Sequence, residues 1–468
     1  LSEALDGPMS EAWRASWQRE LDGVGDRLSK VLVKDWLKAN PGKRPLYSTV
    51  VIKVKRDENN RVNVLKSRLC AIGTNQVKGR DWHEKACATP RRGTINLLEC
   101  MAMELGWGVA ITDLEQAFLQ GDFQDDQAGK QLLRLPKKLR EYDQDGNEYA
   151  FQIDAPIYGL IDSANQLSRT QKSYIESDEN PIPMRRSDHD YGLYSLYVPH
   201  DPEPRRRALA VLKEHGITAA DVESGAAALH VLTWIDDNKI FSSHTSLRDA
   251  FLAGFKKRFK TKDLGLGDAN LRDQPPSVYL ANTYTYNDGR VDISNEAMAD
   301  RIIAAANLTG ATKAHPSPMK ARPTLPAPRE QTPGERAALL DHLRATKEHF
   351  VDKQTTYEDV CTQFRSLLMS VSYLAQSLHM ELMVHVSILA QHQTFVGKEA
   401  WSALKHLLRH LLHIKGESVT YARSGAKGIT LSAECDASFG QDVPWHGGAR
   451  YGVLIRINQG AAIEVEAK

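Results

Sequence analysis

Cysteine is scarce and scattered in this chain: five in 468 residues (Cys70, Cys87, Cys100, Cys361, Cys435), an odd number with no C-x-x-C pair. That argues against a disulfide framework or a zinc ribbon and fits a reducing compartment. Long apolar runs are missing too, none approaching the roughly 18 residues that a bilayer-spanning helix needs. Leu1 is not followed by a basic-then-apolar leader. The expectation is therefore neither a secretory precursor nor a complete translation product, but a piece of a longer polyprotein. No internal repeat is visible, so a solenoid or propeller is not expected. Net charge is also nearly absent, at +1.

What is present describes an ordinary globular protein, 41% hydrophobic and 25% charged, long enough for about two to four units. The small net charge hides an uneven distribution. Between Lys43 and Arg92 stand thirteen Lys/Arg against four Asp/Glu, a local balance of +9 that leaves −8 for the rest. This block alternates with Val, Ile and Leu and is not low-complexity, which suits a folded surface facing phosphates. A solvated charged hairpin is the plainer reading.

Trp13, Trp17, Leu21, Leu28, Val31, Leu32 and Trp36 recur at roughly helical spacing, predicting one or two amphipathic helices over residues 10–38, ending near Pro41-Gly42. Two β-rich runs, Val50–Lys55 and Arg61–Leu69, flank the polar Asp57-Glu58-Asn59-Asn60 and read as a hairpin. A helix is expected from Thr94 to Leu105, broken by Gly106-Trp107-Gly108, then a strand into Asp113 and a second helix from about Leu114. Leu193–Val198 reads as a strand, Asp201–His230 as proline- and arginine-rich helical material, and residues 232–242 as strand, tight polar turn, strand. Phe251, Phe255 and Phe259 mark the core face of a helix with a basic side. His315–Pro333 is a linker candidate, and residues 357–416 are almost wholly helical in pattern.

Three acidic residues stand out. Asp113 ends a strand, and Asp236 and Asp237 sit at the tip of a later hairpin. If those strands neighbour each other in one sheet, the carboxylates converge. Hard oxygen donors of this kind suit Mg²⁺, and a two-metal site stabilises both the attacking and the leaving oxygen in phosphoryl transfer. Each Asp also has a structural reading. Asp113 with Gln116 three residues on fits a helix N-cap, and Asp236-Asp237-Asn238 is ordinary turn chemistry. His406, His410 and His413 share a helix face that could present metal ligands. Lys405 and Arg409 beside them favour a basic, solvated or backbone-contacting face.

The flanking residues tip the balance. Lys66-Ser67-Arg68-Leu69-Cys70-Ala71-Ile72-Gly73-Thr74-Asn75-Gln76, Gly79-Arg80-Asp81-Trp82, Thr112-Asp113-Leu114-Glu115-Gln116-Ala117-Phe118-Leu119-Gln120-Gly121-Asp122, Tyr158-Gly159-Leu160, Trp234-Ile235-Asp236-Asp237 and Lys262-Asp263-Leu264-Gly265 follow one another in order. The set resembles the reverse transcriptase region of copia-type retrotransposon Pol polyproteins. Phe364-Arg365-Ser366-Leu367-Leu368 and Cys435-Asp436-Ala437-Ser438 extend the likeness thinly toward the opening of that family's RNase H domain.

The resemblance implies an α+β right-hand polymerase fold with fingers, palm and thumb. It implies Asp113, Asp236 and Asp237 as catalytic ligands of two Mg²⁺ ions. Lys66 and Arg68 would hold the incoming dNTP, with Phe118 beneath its sugar, and the partners would be an RNA template and a DNA primer. The setting would be a cytoplasmic retrotransposon particle or the nucleus.

The implied organisation is a helical lead-in (1–45), fingers and palm (46–265, with an insertion at 201–230), a thumb-like region and linker (266–333), a helical connection (334–429) and an incomplete RNase H-like start (430–468). After Leu160 the chain departs from the motif, carrying Ile161-Asp162-Ser163-Ala164. The chain reaches Lys468 before the later acids of an RNase H site, so RNase H activity is not expected. The rival readings are a catalytically decayed copy that binds nucleic acid, and a particle-assembly role for the helical C-terminal region.

Overall fold

The computed structural model describes residues 4, 6–56, 61–123, 131–308, 312–319, 325–346, 348–439 and 449–467. The chain is mixed α and β and divides into two compact units, Leu1–Pro90 with Thr112–Asp263, and Arg91–Ile111 with Leu264–Lys468. In chain order the strands of the first are β1 (Leu28–Leu32), β2 (Leu46–Arg56), β3 (Val62–Ala71), β4 (Gly108–Leu114), β5 (Leu132–Arg134), β6 (Tyr149–Ile153), β7 (Met184–Arg186), β8 (Leu193–Leu196), β9 (Leu229–Trp234), β10 (Asp237–Ser242) and β11 (Thr261–Asp268). Strands β4 and β11 run on past the unit boundary.

One sheet has the order β1-β6-β5-β2-β3. The basic hairpin predicted from the sequence is β2 paired antiparallel with β3, in a register that sets Val50 opposite Leu69 and Lys53 opposite Lys66. Its expected turn, Asp57–Asn60, lies outside the described residues. Alternation sorts the two faces: Val50, Ser67 and Leu69 are buried, whereas Val51 and Arg68 are exposed. The helix Ser10–Val24 covers the buried face and ties down edge strand β3, with Ser16 Oγ donating to Leu65 O (2.8 Å) and Leu69 N donating to Glu20 Oε1 (2.9 Å).

Two local expectations fail here. Residues 28–32 are a strand paired with β6, Leu28 opposite Ile153, and not a continuation of helix. Gly25 at φ +49° stops the preceding helix, and the five residues Leu28-Ser29-Lys30-Val31-Leu32 take their state from the partner strand, which periodicity cannot see. Likewise no α-helix begins at Leu114. Gln116 is left-handed (φ +52°) and Ala117–Gln120 form one 3₁₀ turn. That turn is held from far along the chain: Gln120 Nε2 donates to Lys260 O (2.8 Å) and Gln120 Oε1 accepts from Lys260 N (2.6 Å).

The second sheet has the order β11-β4-β10-β9-β8-β7. Helices Ser163–Ile175 and Thr245–Arg258 contribute Leu167, Ile175, Phe251 and Phe255, all buried, and Tyr174 meets the edges of Phe255 and Phe259. The three phenylalanines are core, as their spacing predicts. The segment 201–230, expected from the sequence as an insertion, folds into helices Pro202–Glu214 and Ala219–Glu223, the second opened by a Thr218/Asp221 capping box. Its arginines are paired, Arg205 with Glu223, Arg206 with Glu203 and Arg207 with Asp178.

In the second unit, helix Arg92–Leu105 ends at left-handed Gly106 (φ +71°). Strands β12 (Ser277–Tyr279), β13 (Asn282–Tyr286), β14 (Arg290–Ser294) and β15 (Val419–Ala422) form one sheet in that order, and β16 (Leu431–Phe439), β17 (Ala449–Ile457) and β18 (Ala462–Ala467) another. Helices Tyr357–Ser377, Met383–Ala390 and Lys398–Ile414 build a core from residues such as Phe364, Leu368, Leu404 and Leu408. Met319 and Leu325, at the two ends of the undescribed part of the linker candidate, are buried in it. Among the described residues no helix is long and apolar enough to cross a membrane.

Candidate active site

Strands β9 and β10 close on the pair Trp234–Asp237, which leaves Ile235 and Asp236 as a two-residue turn. Asp237 is therefore the first residue of β10 and not part of the tip. It is half-buried, whereas Asp236 is exposed. Ile235 has φ +58°, a conformation that β-branched residues rarely adopt and that persists where the surroundings enforce it. β4 lies beside β10 in the sheet, and Leu114 N donates to Asp236 O (2.9 Å). This pairing sets the end of β4, with half-buried Asp113, next to the turn.

The electrostatics record the convergence. Burial, then the charges of Asp236 and Asp113, push the Asp237 carboxyl up to about 7. Burial, then Asp236, raise Asp113, against an opposing pull from Lys262 and Lys66. Three carboxylates thus share one field, two of them made harder to ionise. Among the described residues, no three His, Cys, Asp or Glu side chains close on one point as ready-made metal ligands. The donor set is nonetheless all-oxygen, and its mutual repulsion is of the kind a divalent cation relieves. The site fits such an ion chemically.

The nucleotide candidates lie within the same unit. Arg68 places its guanidinium 5.0 Å from the centre of the Tyr158 ring, a cation–π distance, and Phe118 meets the same ring edge-on at 5.1 Å. Lys66 is near enough to Asp113 to lower its carboxyl. Tyr158 thus joins two of the three, and its own hydroxyl is raised by burial, with Arg68 opposing. Its segment is locked in place: Ala71 N donates to Tyr158 O (2.8 Å), and Ile161 N donates to Gln76 Oε1 (2.8 Å). Gly159 has φ +90°, and a Cβ there would stand 2.1 Å from Ala71 O, so only glycine fits.

Sequence reasoning passed over several residues here. Tyr158 enters only as part of a motif. Glu20, which lies in the fields of Lys66 and Arg68, is hidden among the polar positions of an amphipathic helix. Gln171, 1% exposed, donates through Nε2 to Ile235 O (3.0 Å). A glutamine in a helix carries no signal of such a role.

The histidine face in the second unit turns to the backbone. His410 Nδ1 meets His315 O at 3.0 Å, and His406 Nε2 meets Ser317 O at 3.0 Å.

Comparison with known proteins finds likenesses in sequence and in fold. Residues 33–201 match the family described as reverse transcriptase (RNA-dependent DNA polymerase). The chain is 21% identical over 448 residues to the retrovirus-related Pol polyprotein from transposon TNT 1-94 of Nicotiana tabacum, covering 95% of this chain and 28% of that protein. It is also 21% identical over 396 residues to the corresponding polyprotein from transposon RE2 of Arabidopsis thaliana, covering 83% of this chain and 22% of that protein. The chain therefore spans under a third of the relatives it matches. A foamy viral protease-reverse transcriptase, solved in complex with double-stranded DNA, superposes with a TM-score of 0.40 at 10% identity over 97% of this chain and 55% of that one. The chain is thus similar to retrovirus-related Pol polyproteins from plant transposons over most of its length and matches the reverse transcriptase family over residues 33–201.

Proposed function

We propose that this chain is the polymerase core of such a polyprotein, an RNA-directed DNA polymerase that extends a primer 3′-hydroxyl with dNTPs. The observation that carries the reading is the shared field of Asp113, Asp236 and Asp237 at the adjoining ends of β4 and β10. A structural cap or turn has no reason to gather three carboxylates against burial and mutual repulsion. In this reading β2 and β3 are the fingers hairpin and the six-stranded sheet is the palm.

Asp113, Asp236 and Asp237 would hold two Mg²⁺ ions, which when bound stabilise charge on the attacking and leaving oxygens of phosphoryl transfer. The chain's own residues do the rest by position. Lys66 supplies a point charge and Arg68 a fork for the triphosphate. The bond between Tyr158 O and Ala71 N fixes the Tyr158 ring on which Arg68 rests, so the fork is pre-oriented. Phe118, edge-on to Tyr158, forms the surface under the sugar. The basic block of β2 and β3 faces the phosphates of template and primer.

Primer extension on a homopolymeric RNA template with dNTP and Mg²⁺ tests this. Extension by the chain that vanishes in Asp236→Asn/Asp237→Asn is the expected result. If neither protein extends while both bind template–primer in a salt-dependent way, the decayed-copy reading replaces it, favoured by the departure from the motif at Ile161–Ala164 and by the insertion.

A further inference from the structure

A turn that presents two acidic residues has to be held against its own chemistry. Ile235 is β-branched at φ +58°, and Asp236 beside it repels both Asp113 and Asp237. Left alone, such a turn relaxes to a common form and spreads its carboxylates. Few bonds oppose this. Leu114 N donates to Asp236 O at 2.9 Å, and Asn238 Nδ2 reaches the same oxygen only at 3.5 Å. The carbonyl of the strained residue itself is held by Gln171 Nε2 at 3.0 Å.

Gln171 belongs to helix Ser163–Ile175, four residues beyond fully buried Leu167 and four before fully buried Ile175, and is itself only 1% exposed. Packing alone would be served there by an aliphatic side chain. A buried amide is retained where it has a partner, and the partner here is the acidic turn.

We infer that Gln171 is a positioning residue of the proposed active site: its bond to the Ile235 carbonyl keeps the Ile235–Asp236 turn in the strained form in which Asp236 and Asp237 face Asp113. It touches neither substrate nor metal and acts through the backbone. The inference rests on the polymerase reading.

The test uses the full chain, Gln171→Met (similar volume, no donor), Gln171→Asn (amide kept but too short) and Asp236→Asn/Asp237→Asn. Mn²⁺ alone is titrated by electron paramagnetic resonance, beside thermal melting and the Mn²⁺ dependence of primer extension. Both Gln171 variants are expected to weaken Mn²⁺ binding by about five- to tenfold, the worth of one hydrogen bond, and to raise the Mn²⁺ needed for half-maximal extension by a like factor. Their KM for template–primer should stay unchanged. A purely structural role would lower the melting temperature and leave Mn²⁺ affinity alone, and that result overturns the inference. If Gln171→Met does not fold, Gln171→Asn decides by the same criterion. Mn²⁺ binding that is identical in the unsubstituted chain and in Asp236→Asn/Asp237→Asn removes the metal-site reading itself, and the inference with it.

Discussion

The acidic turn of the first unit and the histidine helix of the second make the same claim on paper: a few potential metal ligands at favourable spacing. Their structures part company in how the polar groups are satisfied. His406 and His410 each meet a backbone carbonyl, and His315, whose carbonyl takes one of those bonds, lies against the helix with its ring 3.9 Å from that of His406. Such a cluster needs nothing further. Asp113 and Asp237 instead have like charges for neighbours, and both carboxyls are displaced upward. Polar groups that close their hydrogen bonds inside the fold signal stability, whereas groups brought together against their own repulsion signal a ligand still to come.

Substitution can break that contrast, and its largest expected effect is on catalysis. Asp113→Asn keeps size and hydrogen-bonding capacity but removes one charge from the shared field. It should cut primer extension by more than about 100-fold, since even outer-shell partners of metal ligands are worth 10- to 100-fold. If extension is unaffected, Asp113 is an ordinary strand residue and the convergence is incidental. His410→Leu provides the opposing arm. It should leave the Mg²⁺ dependence of extension unchanged while costing about 1–3 kcal/mol of stability, read by urea denaturation, because the His315 carbonyl loses its donor in a site only 5% exposed. A melting temperature that rises on adding Zn²⁺ to the unsubstituted chain and not to His410→Leu would show instead that the helix does bind metal.

A third effect is smaller and sits at the edge of the acidic site. Arg68→Lys keeps the charge but gives up the planar fork over Tyr158. It should raise the KM for dNTP by about threefold to tenfold with little change in kcat, a loss of up to about 1.4 kcal/mol. An unchanged KM would detach Arg68 from the nucleotide.

The acidic constellation was legible because its local part is short-range. Asp236 and Asp237 are neighbours in sequence within a polar break between two β-rich runs, which marks a hairpin, but its turn falls one residue earlier than that chemistry suggests, at Ile235–Asp236, and the arrival of Asp113 needed a guess about sheet order. What could not be read was everything set by a distant partner. Leu28–Leu32 is a strand because Tyr149–Ile153 runs beside it, and Ala117–Gln120 is a 3₁₀ turn because Lys260 grips Gln120. Tyr158 and Gln171 carry no local sign of their contacts with Arg68 and Ile235. The helix expected at Leu114 would have displayed Phe118 on an α-helical face. The left-handed Gln116 turns that ring to Tyr158 instead, which ties it to Arg68 more closely than spacing alone implied.

The gentlest test of the contrast uses pH without metal. The folded Asp237 carboxyl titrates at about 7, raised from an ordinary 3.8 mainly by burial. Between those values the folded chain holds a proton that the unfolded chain has released, so stability from this group is present at low pH and lost as pH rises through about 7. In chelator, therefore, Asp237→Asn should melt close to the unsubstituted chain at pH 5 and higher than it at pH 8, by a few degrees or less. Adding Mg²⁺ at pH 8 should then close the gap between Asp237→Asn and the unsubstituted chain, since a bound cation supplies the positive charge that the proton supplied at pH 5. A gap that persists in saturating Mg²⁺ would mean that the repulsion among the three carboxylates is not relieved by metal, and the acidic turn would have to be read as strain without a ligand.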